Sequence, residues 1–445
     1  MKKFLLATCL FLCASGAWAL DPWGVYDDKA PAVCNDVELK GTLGLAELTE
    51  KAICANTSLK ISYLSVLSSG ASYGQGLADY LPSISASAGL TASNSKIDGG
   101  NSDDSSDLSA SANLNWLLLD FGGRNASADR LKAYLQSSYF SYDDTLQTLI
   151  YDVSASYYAV LSAMEKYEGL MKSEESSKKS FEEASSRYKL GLVPLSDKLQ
   201  AQTSYEQAKL ASNVARKNIA IERGNLAVLL DIPPYTILDL KRPEKQVTDK
   251  QHVGEIKDLI EKALATRPDY QASRQDVIAA QKQIRVAKSD GLPYLSANAR
   301  GSAGKDIRSG AAGQYGSSAG LTLTVPLFTG FSNSYKIGQA EEDYQKALQT
   351  LEAKKNALEN EVWAAVQDYQ TSLESFKISK TLLASAEENE RVAFASYKVG
   401  KVNIITLLDA QSSLASARIE NSTTFYNFLT AKANLQKVLG QMERK

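Results

Sequence analysis

Two periods alternate along this chain, and each occurs twice. The shorter is a strict period of two. Ile84, Ala86, Ala88, Leu90 and Ala92 interleave with Ser83, Ser85, Ser87, Gly89 and Thr91, and Leu108, Ala110, Ala112, Leu114 and Trp116 interleave with Ser109, Ser111, Asn113 and Asn115. Later, Leu295, Ala297 and Ala299 alternate with Ser296, Asn298 and Arg300, and Ala319, Leu321, Leu323 and Val325 with Ser318, Gly320, Thr322 and Thr324. Such alternation predicts strands over about residues 82–93, 107–119, 293–303 and 316–328, with side chains on opposite faces. The linking runs Ser93–Asp107 and Ser302–Ser317 are polar and glycine-rich, as hairpin tips should be. Apolar-out, polar-in strands of this length are the signature of a membrane β-barrel, with Trp116, Tyr294 and Phe328 as candidate interface aromatics.

The longer period is helical. No proline occurs from about Asn125 to Leu190 or from about Ser334 to Val399. In the second stretch Tyr344, Leu348, Leu351, Leu358, Val362, Ala365, Tyr369, Leu373 and Phe376 recur mostly at steps of three and four, interrupted at Lys355. That seam predicts coiled-coil-like packing of helices roughly 100 Å long. Shorter helices are expected over about Leu45–Asp79, Leu195–Leu230, Glu255–Ser289 and Asn403–Leu439.

The repetition extends to individual residues. The stretch YKLGLVPLSDKLQAQ at Tyr188–Gln202 returns as YKVGKVNIITLLDAQ at Tyr397–Gln411. Leu81-Pro82 likewise returns as Leu292-Pro293. The chain therefore reads as a signal peptide (1–19), an N-terminal segment (20–42), a first repeat (43–233), a linker (234–253), a second repeat (254–440) and a tail (441–445). The leader reading rests on Lys2 and Lys3, the apolar run Phe4–Cys13 and the small residues of Ala17-Trp18-Ala19.

Composition narrows the function. A formal charge of −2 gives no reason to expect nucleic acid. A single histidine, His252, argues against most zinc sites and catalytic triads. Asp120-Phe121-Gly122 lacks the other elements of a kinase, and Gly301, Gly304 and Lys305 lack P-loop spacing. No catalytic, cofactor or metal residues are expected. In an exported chain Cys34 and Cys54 are expected to pair, which the chain-entropy model values at roughly 3 kcal/mol. Four strands are too few to close a barrel, whose smallest membrane forms need about eight, and open edges are costly in lipid. The protein must then oligomerise in the membrane.

The two Y-K-x-G-x-V motifs, the junctions Leu81–Ser85 and Gly291–Ser296, and the run Leu259–Ala263 followed by Arg267-Pro268-Asp269 resemble the TolC family of outer membrane efflux and secretion channels. The resemblance covers nearly the whole chain after the leader. It implies a mainly α fold with a membrane β-barrel: a homotrimer with a twelve-stranded barrel in outer membrane lipid, continued by a twelve-helix periplasmic tunnel. It further implies docking onto a periplasmic adaptor and an inner membrane transporter, ABC or proton-driven, with no chemistry of its own. The start from Cys34 to Cys54 is similar to members that serve type I protein secretion.

At the periplasmic mouth, Gly191 and Gly400 would form the hairpin turns. Ser196, Asp197 and Tyr397 match latch positions, and Asp409 matches a constriction aspartate. Thr406 stands where a second constriction aspartate is usual, and Val402 where a latch arginine is usual, so a less acidic and less tightly latched mouth is implied. The rival reading is an adhesive or structural coiled-coil protein anchored by a trimeric barrel. It would place its strands in one C-terminal set, whereas here strands alternate with helices in both repeats.

Overall fold

The computed structural model describes Gly24 and residues 41–96, 102–244, 255–307 and 312–442. The expected leader, Cys34, residues 245–253 of the linker, the last three residues and the strand-loop centres at 97–101 and 308–311 lie outside them. The first repeat runs β1 (Thr42–Leu43), α1 (Leu45–Ala55), α2 (Thr57–Ala78), β2 (Ser83–Lys96), β3 (Ser102–Leu119), α3 (Gly123–Lys189) and α4 (Leu195–Leu229). The short strand β4 (Asp239–Leu240) follows. The second repeat is α5 (Ile256–Thr266), α6 (Pro268–Ser289), β5 (Tyr294–Asp306), β6 (Gln314–Thr324), α7 (Ser332–Lys398) and α8 (Ile404–Val438). No helix among the described residues is long and apolar enough to cross a membrane.

The chain divides into two compact units. Of the described elements, one unit holds Leu64–Tyr139 and Ala272–Glu352; the other holds those from Thr42 to Tyr63, Phe140–Gln271 and Ala353 onward. In the first, β2, β3, β5 and β6 form an antiparallel sheet in that order. Its register turns four separate alternations into two faces, because directly paired residues share a side. Ala86 pairs with Ala112, Ala112 with Gly301, and Ala299 with Ala319, while Asn113 pairs with Arg300 and Arg300 with Ser318. One face is thus Ala- and Leu-rich and the other is Ser-, Asn- and Thr-rich.

Strand ends differ from the expected ones. β2 and β3 reach Lys96 and Ser102, so that hairpin is longer and its tip shorter than the polar composition suggested. β6 stops at Thr324 rather than near residue 328. Pro326 follows, and it has no N–H to extend a ladder. A bulge at Leu117–Leu119 precedes a junction held by Arg124. The Arg124 guanidinium donates to the carbonyls of Leu117 (2.6 Å) and Leu118 (3.0 Å), and the Arg124 backbone N–H donates to the Asp120 carboxylate (2.6 Å).

The second unit is helical apart from the parallel pair β1–β4, which joins the residues before the first repeat to those after it. Its cores mirror the repeats. Leu48, Val153, Leu161, Leu226 and Phe425 are buried in one, and Leu358, Val362, Val366, Tyr369 and Leu439 in the other. The seam read from the sequence is therefore an interior from Leu358 to Phe376.

Each expected helix before a strand pair is broken in two. Asn56 separates α1 from α2, accepting from the Leu59 N–H (3.2 Å) and donating to the Leu229 carbonyl (3.1 Å). At the matching position of the second repeat, Arg267 is extended (φ −66°, ψ 122°) because Pro268 follows and opens the next helix. Arg267 binds Asp269 in a fork (2.9 and 2.6 Å) and also meets Glu361, while Lys354 reaches Asp269 at 2.9 Å. Burial alone would raise the Asp269 carboxyl; the bonds from Arg267 and Lys354 outweigh it and hold the group below its ordinary value.

Candidate functional site at the hairpin tips

Both tips turn by the same backbone device. Gly191 and Gly400 have φ of +71° and +75°, a left-handed conformation that a side chain disfavours. The Leu192 N–H donates to the Arg187 carbonyl (2.9 Å) and Gly191 to Tyr188 (3.0 Å). At the second tip Lys401 donates to Ser396 (2.9 Å) and Gly400 to Tyr397 (3.0 Å). This pair of bonds closes the end of a helix in a Schellman arrangement and satisfies carbonyls otherwise left open. The shared motif is thus a shared hydrogen-bond pattern.

The helices that follow start differently. Asn403 caps α8, its side chain accepting from the Thr406 N–H (2.9 Å) and hydroxyl (3.0 Å). Thr406, expected at the constriction, is exposed and its hydroxyl is occupied by this cap. α4 follows Pro194, which offers no side-chain cap. Asp197 lies in its first turn, where the helix dipole favours an acid.

Around the tips, Ala184, Ala201, Ala393, Tyr397, Ile404 and Leu407 form a buried cluster. Val402, at the position where a latch arginine is usual in the resembled family, packs against it as an apolar residue. Tyr397 is 2% exposed. An arginine does reach it, from an unexpected position. The Arg187 guanidinium lies 5.1 Å from the Tyr397 ring centroid and donates to its carbonyl. Asp197 makes no bond to Tyr397 within the chain. It accepts from the Ser196 hydroxyl at 3.4 Å, and the buried Tyr397 hydroxyl has no partner among the described residues. Burial raises the Tyr397 pKa, with Arg187 opposing and Asp197 and Glu183 assisting.

Asp409 is exposed. It borders a groove of about 560 Å³ between α3, α4 and α8, beside Leu199, Thr203, Gln207 and Ser412. Two residues further, Gln411 is buried and its amide donates to the hydroxyls of Ser176 (2.9 Å) and Ser180 (2.8 Å). The sequence offered no sign of Arg187 as a contact residue, and for Gln411 only the duplicated Ala-Gln pair. Cys54 sits half-buried on α1 in a disulfide, and its expected partner Cys34 lies outside the described residues. Among the described residues no cluster of His, Cys, Asp and Glu is arranged to hold a metal ion.

Relatives share this architecture. The family model described as outer membrane efflux protein matches residues 48–230 and 259–441, one match per repeat. Protein CyaE of Bordetella pertussis is 27% identical over 378 residues, covering 84% of this chain and 79% of that protein. Outer membrane protein TolC of Escherichia coli is 25% identical, covering 82% and 76%. Among solved structures, the outer-membrane channel OprN superposes with a TM-score of 0.80 at 18% identity, covering 90% and 91%. The outer membrane protein VceC of Vibrio cholerae gives 0.77 at 19% identity, covering 89% and 96%. With both repeats matched, the chain belongs to the outer membrane efflux protein family, whose members are outer membrane export channels and not enzymes.

Proposed function

We propose that three copies of this chain close a twelve-stranded barrel in the outer membrane. The barrel continues as a twelve-helix tunnel across the periplasm. A periplasmic adaptor and an inner membrane transporter, ABC or proton-driven, deliver cargo to its mouth, for efflux or for type I protein secretion. The observation that carries this reading is the sheet: four strands with one apolar and one polar face, and β2 and β6 each paired on one side only. In lipid an open edge leaves each backbone group several kcal/mol short, so other copies must supply the missing pairs. Twelve strands leave room for a pore, whereas eight leave an interior just wide enough for side chains.

At the mouth, Arg187 holds Tyr397, and three Asp409 carboxylates ring the constriction. At a separation of ~6 Å and an effective dielectric of ~20, each like-charge pair costs on the order of 3 kcal/mol, which bound cations offset. Mass measurement of the detergent-solubilised complex should give three chains; a stable water-soluble monomer refutes the architecture. In planar bilayers Asp409→Ala should lower cation selectivity and weaken block by divalent ions. Asp197→Ala should instead raise open probability and leave selectivity unchanged. Unaltered selectivity and block in Asp409→Ala would remove Asp409 from the gate. Cys34 is proposed as the partner of Cys54, and two freely alkylated thiols in envelope-extracted protein would exclude the pair.

A further inference from the structure

Away from its loop end, the polar face of the sheet carries a single charge among the described residues, Arg300. Where β3, β5 and β6 lie side by side, the residues around Arg300 on that face are Asn113, Ser318, Asn298 and Ser302, all neutral. Arg300 is exposed, and among the described residues it has no ion pair. The nearest described acids on the same face are Asp107 and Asp306, paired with each other towards the loop end of the sheet. Both lie six residues along the strands from the Asn113–Arg300 pair, which is roughly 20 Å. That exceeds the Debye length of about 10 Å in 0.1 M salt, so they do not neutralise the guanidinium. The apolar face, by contrast, holds Leu114, Ala299 and Ala319 on one side of the arginine row and Ala112, Gly301 and Ser317 on the other, none of them charged. Lipid excludes a guanidinium from that side.

We infer that Arg300 makes the barrel an anion-attracting section, so that permeants carrying negative charge are favoured there. This rests on the trimeric barrel proposed above, which places three guanidinium groups at one height in the lumen. No neighbouring side chain competes for them. This arginine ring opposes in sign the acidic ring proposed at the mouth, and the two ends of the conduit would select differently.

The test is the chloride-to-potassium permeability ratio, read from reversal potentials of the full-length channel in planar bilayers under a KCl gradient. Arg300→Gln should lower the ratio about fourfold near 0.1 M salt, about twofold from each ion, the effect of three charges ~10 Å from the ion with screening included. The difference should vanish near 1 M, where the Debye length is about 3 Å. Arg300→Lys should keep the wild-type ratio. Arg300→Cys repeats the test in an assembled channel. A cationic methanethiosulfonate should restore the ratio and an anionic one should lower it further, with the wild-type protein unresponsive to both. An unchanged ratio in Arg300→Gln at low salt, or a Cys variant indifferent to both reagents, overturns the inference while leaving the channel reading intact. A wild-type protein that forms no conducting trimer overturns both.

Discussion

The two hairpin tips share a turn, a motif and a helix length, yet one is packed inside the chain and the other is not. α4 and α8 are each 35 residues long, but five side chains of α4 are buried against fifteen of α8. Tyr397 is 2% exposed and its copy Tyr188 is 39% exposed; Ile404 is 1% exposed and its copy Leu195 is 48%. Gln411 is buried against two serines, and Gln202 faces outward. α4 also leaves Leu199, Leu210, Val214, Ile221 and Val228 exposed along one helical face. Duplication copied the backbone instructions, and neighbours then decided which copy became interior. In the proposed trimer the exposed row of α4 is where another copy packs.

Deleting the two tyrosines should widen or close that contrast most. Tyr397→Ala removes a buried ring and should lower the local stability of the second tip by about 3 kcal/mol. Tyr188→Ala should cost less than about 1 kcal/mol. Amide hydrogen exchange across the two turns reads both. Equal costs would mean that neighbouring copies bury the first tip as deeply as its twin.

The helix breaks provide the next test. Arg267→Ala leaves the Asp269 carboxylate with Lys354 as its remaining cationic partner and should cost about 2 kcal/mol at neutral pH. The Asp269 pKa is lowered by folding, so its contribution is complete above the ordinary aspartate value. It is lost as pH falls through the lower folded value. Asp269→Asn should therefore flatten the acid limb of the stability profile. A limb unchanged in shape would show that other carboxylates carry it.

The smallest effect belongs to the matching break in the first repeat. Asn56→Ala loses a neutral cap and should cost about 1 kcal/mol, equally at pH 5 and pH 8. A pH-dependent loss, measured by denaturant unfolding, would mean that the two breaks are less different than their chemistry indicates.

Much of this was legible in the sequence. The strands were visible because both faces of the sheet are chemically pure, and the tips because glycine stands where φ must be positive. The long helices lacked proline throughout. The break at Asn56 was not legible, since asparagine reads equally well within a helix or at its cap. The break at Arg267 carried a proline signal, yet the period on either side ran on. Arg187 escaped because its contact with Tyr397 spans 210 residues and leaves no local pattern. The extra strand residues beyond Ser93 and before Asp107 are serine, asparagine and aspartate, which composition assigns to loops. Pairing with a partner strand overrode that preference.

The unsealed sheet has a genetic consequence. In the proposed trimer no chain completes its own membrane segment, so every working pore needs three sound copies. A cell making intact and defective chains together would assemble them at random, and the yield of wholly intact pores would fall as the cube of the intact fraction. A faulty allele would then poison its healthy neighbour instead of being silently complemented.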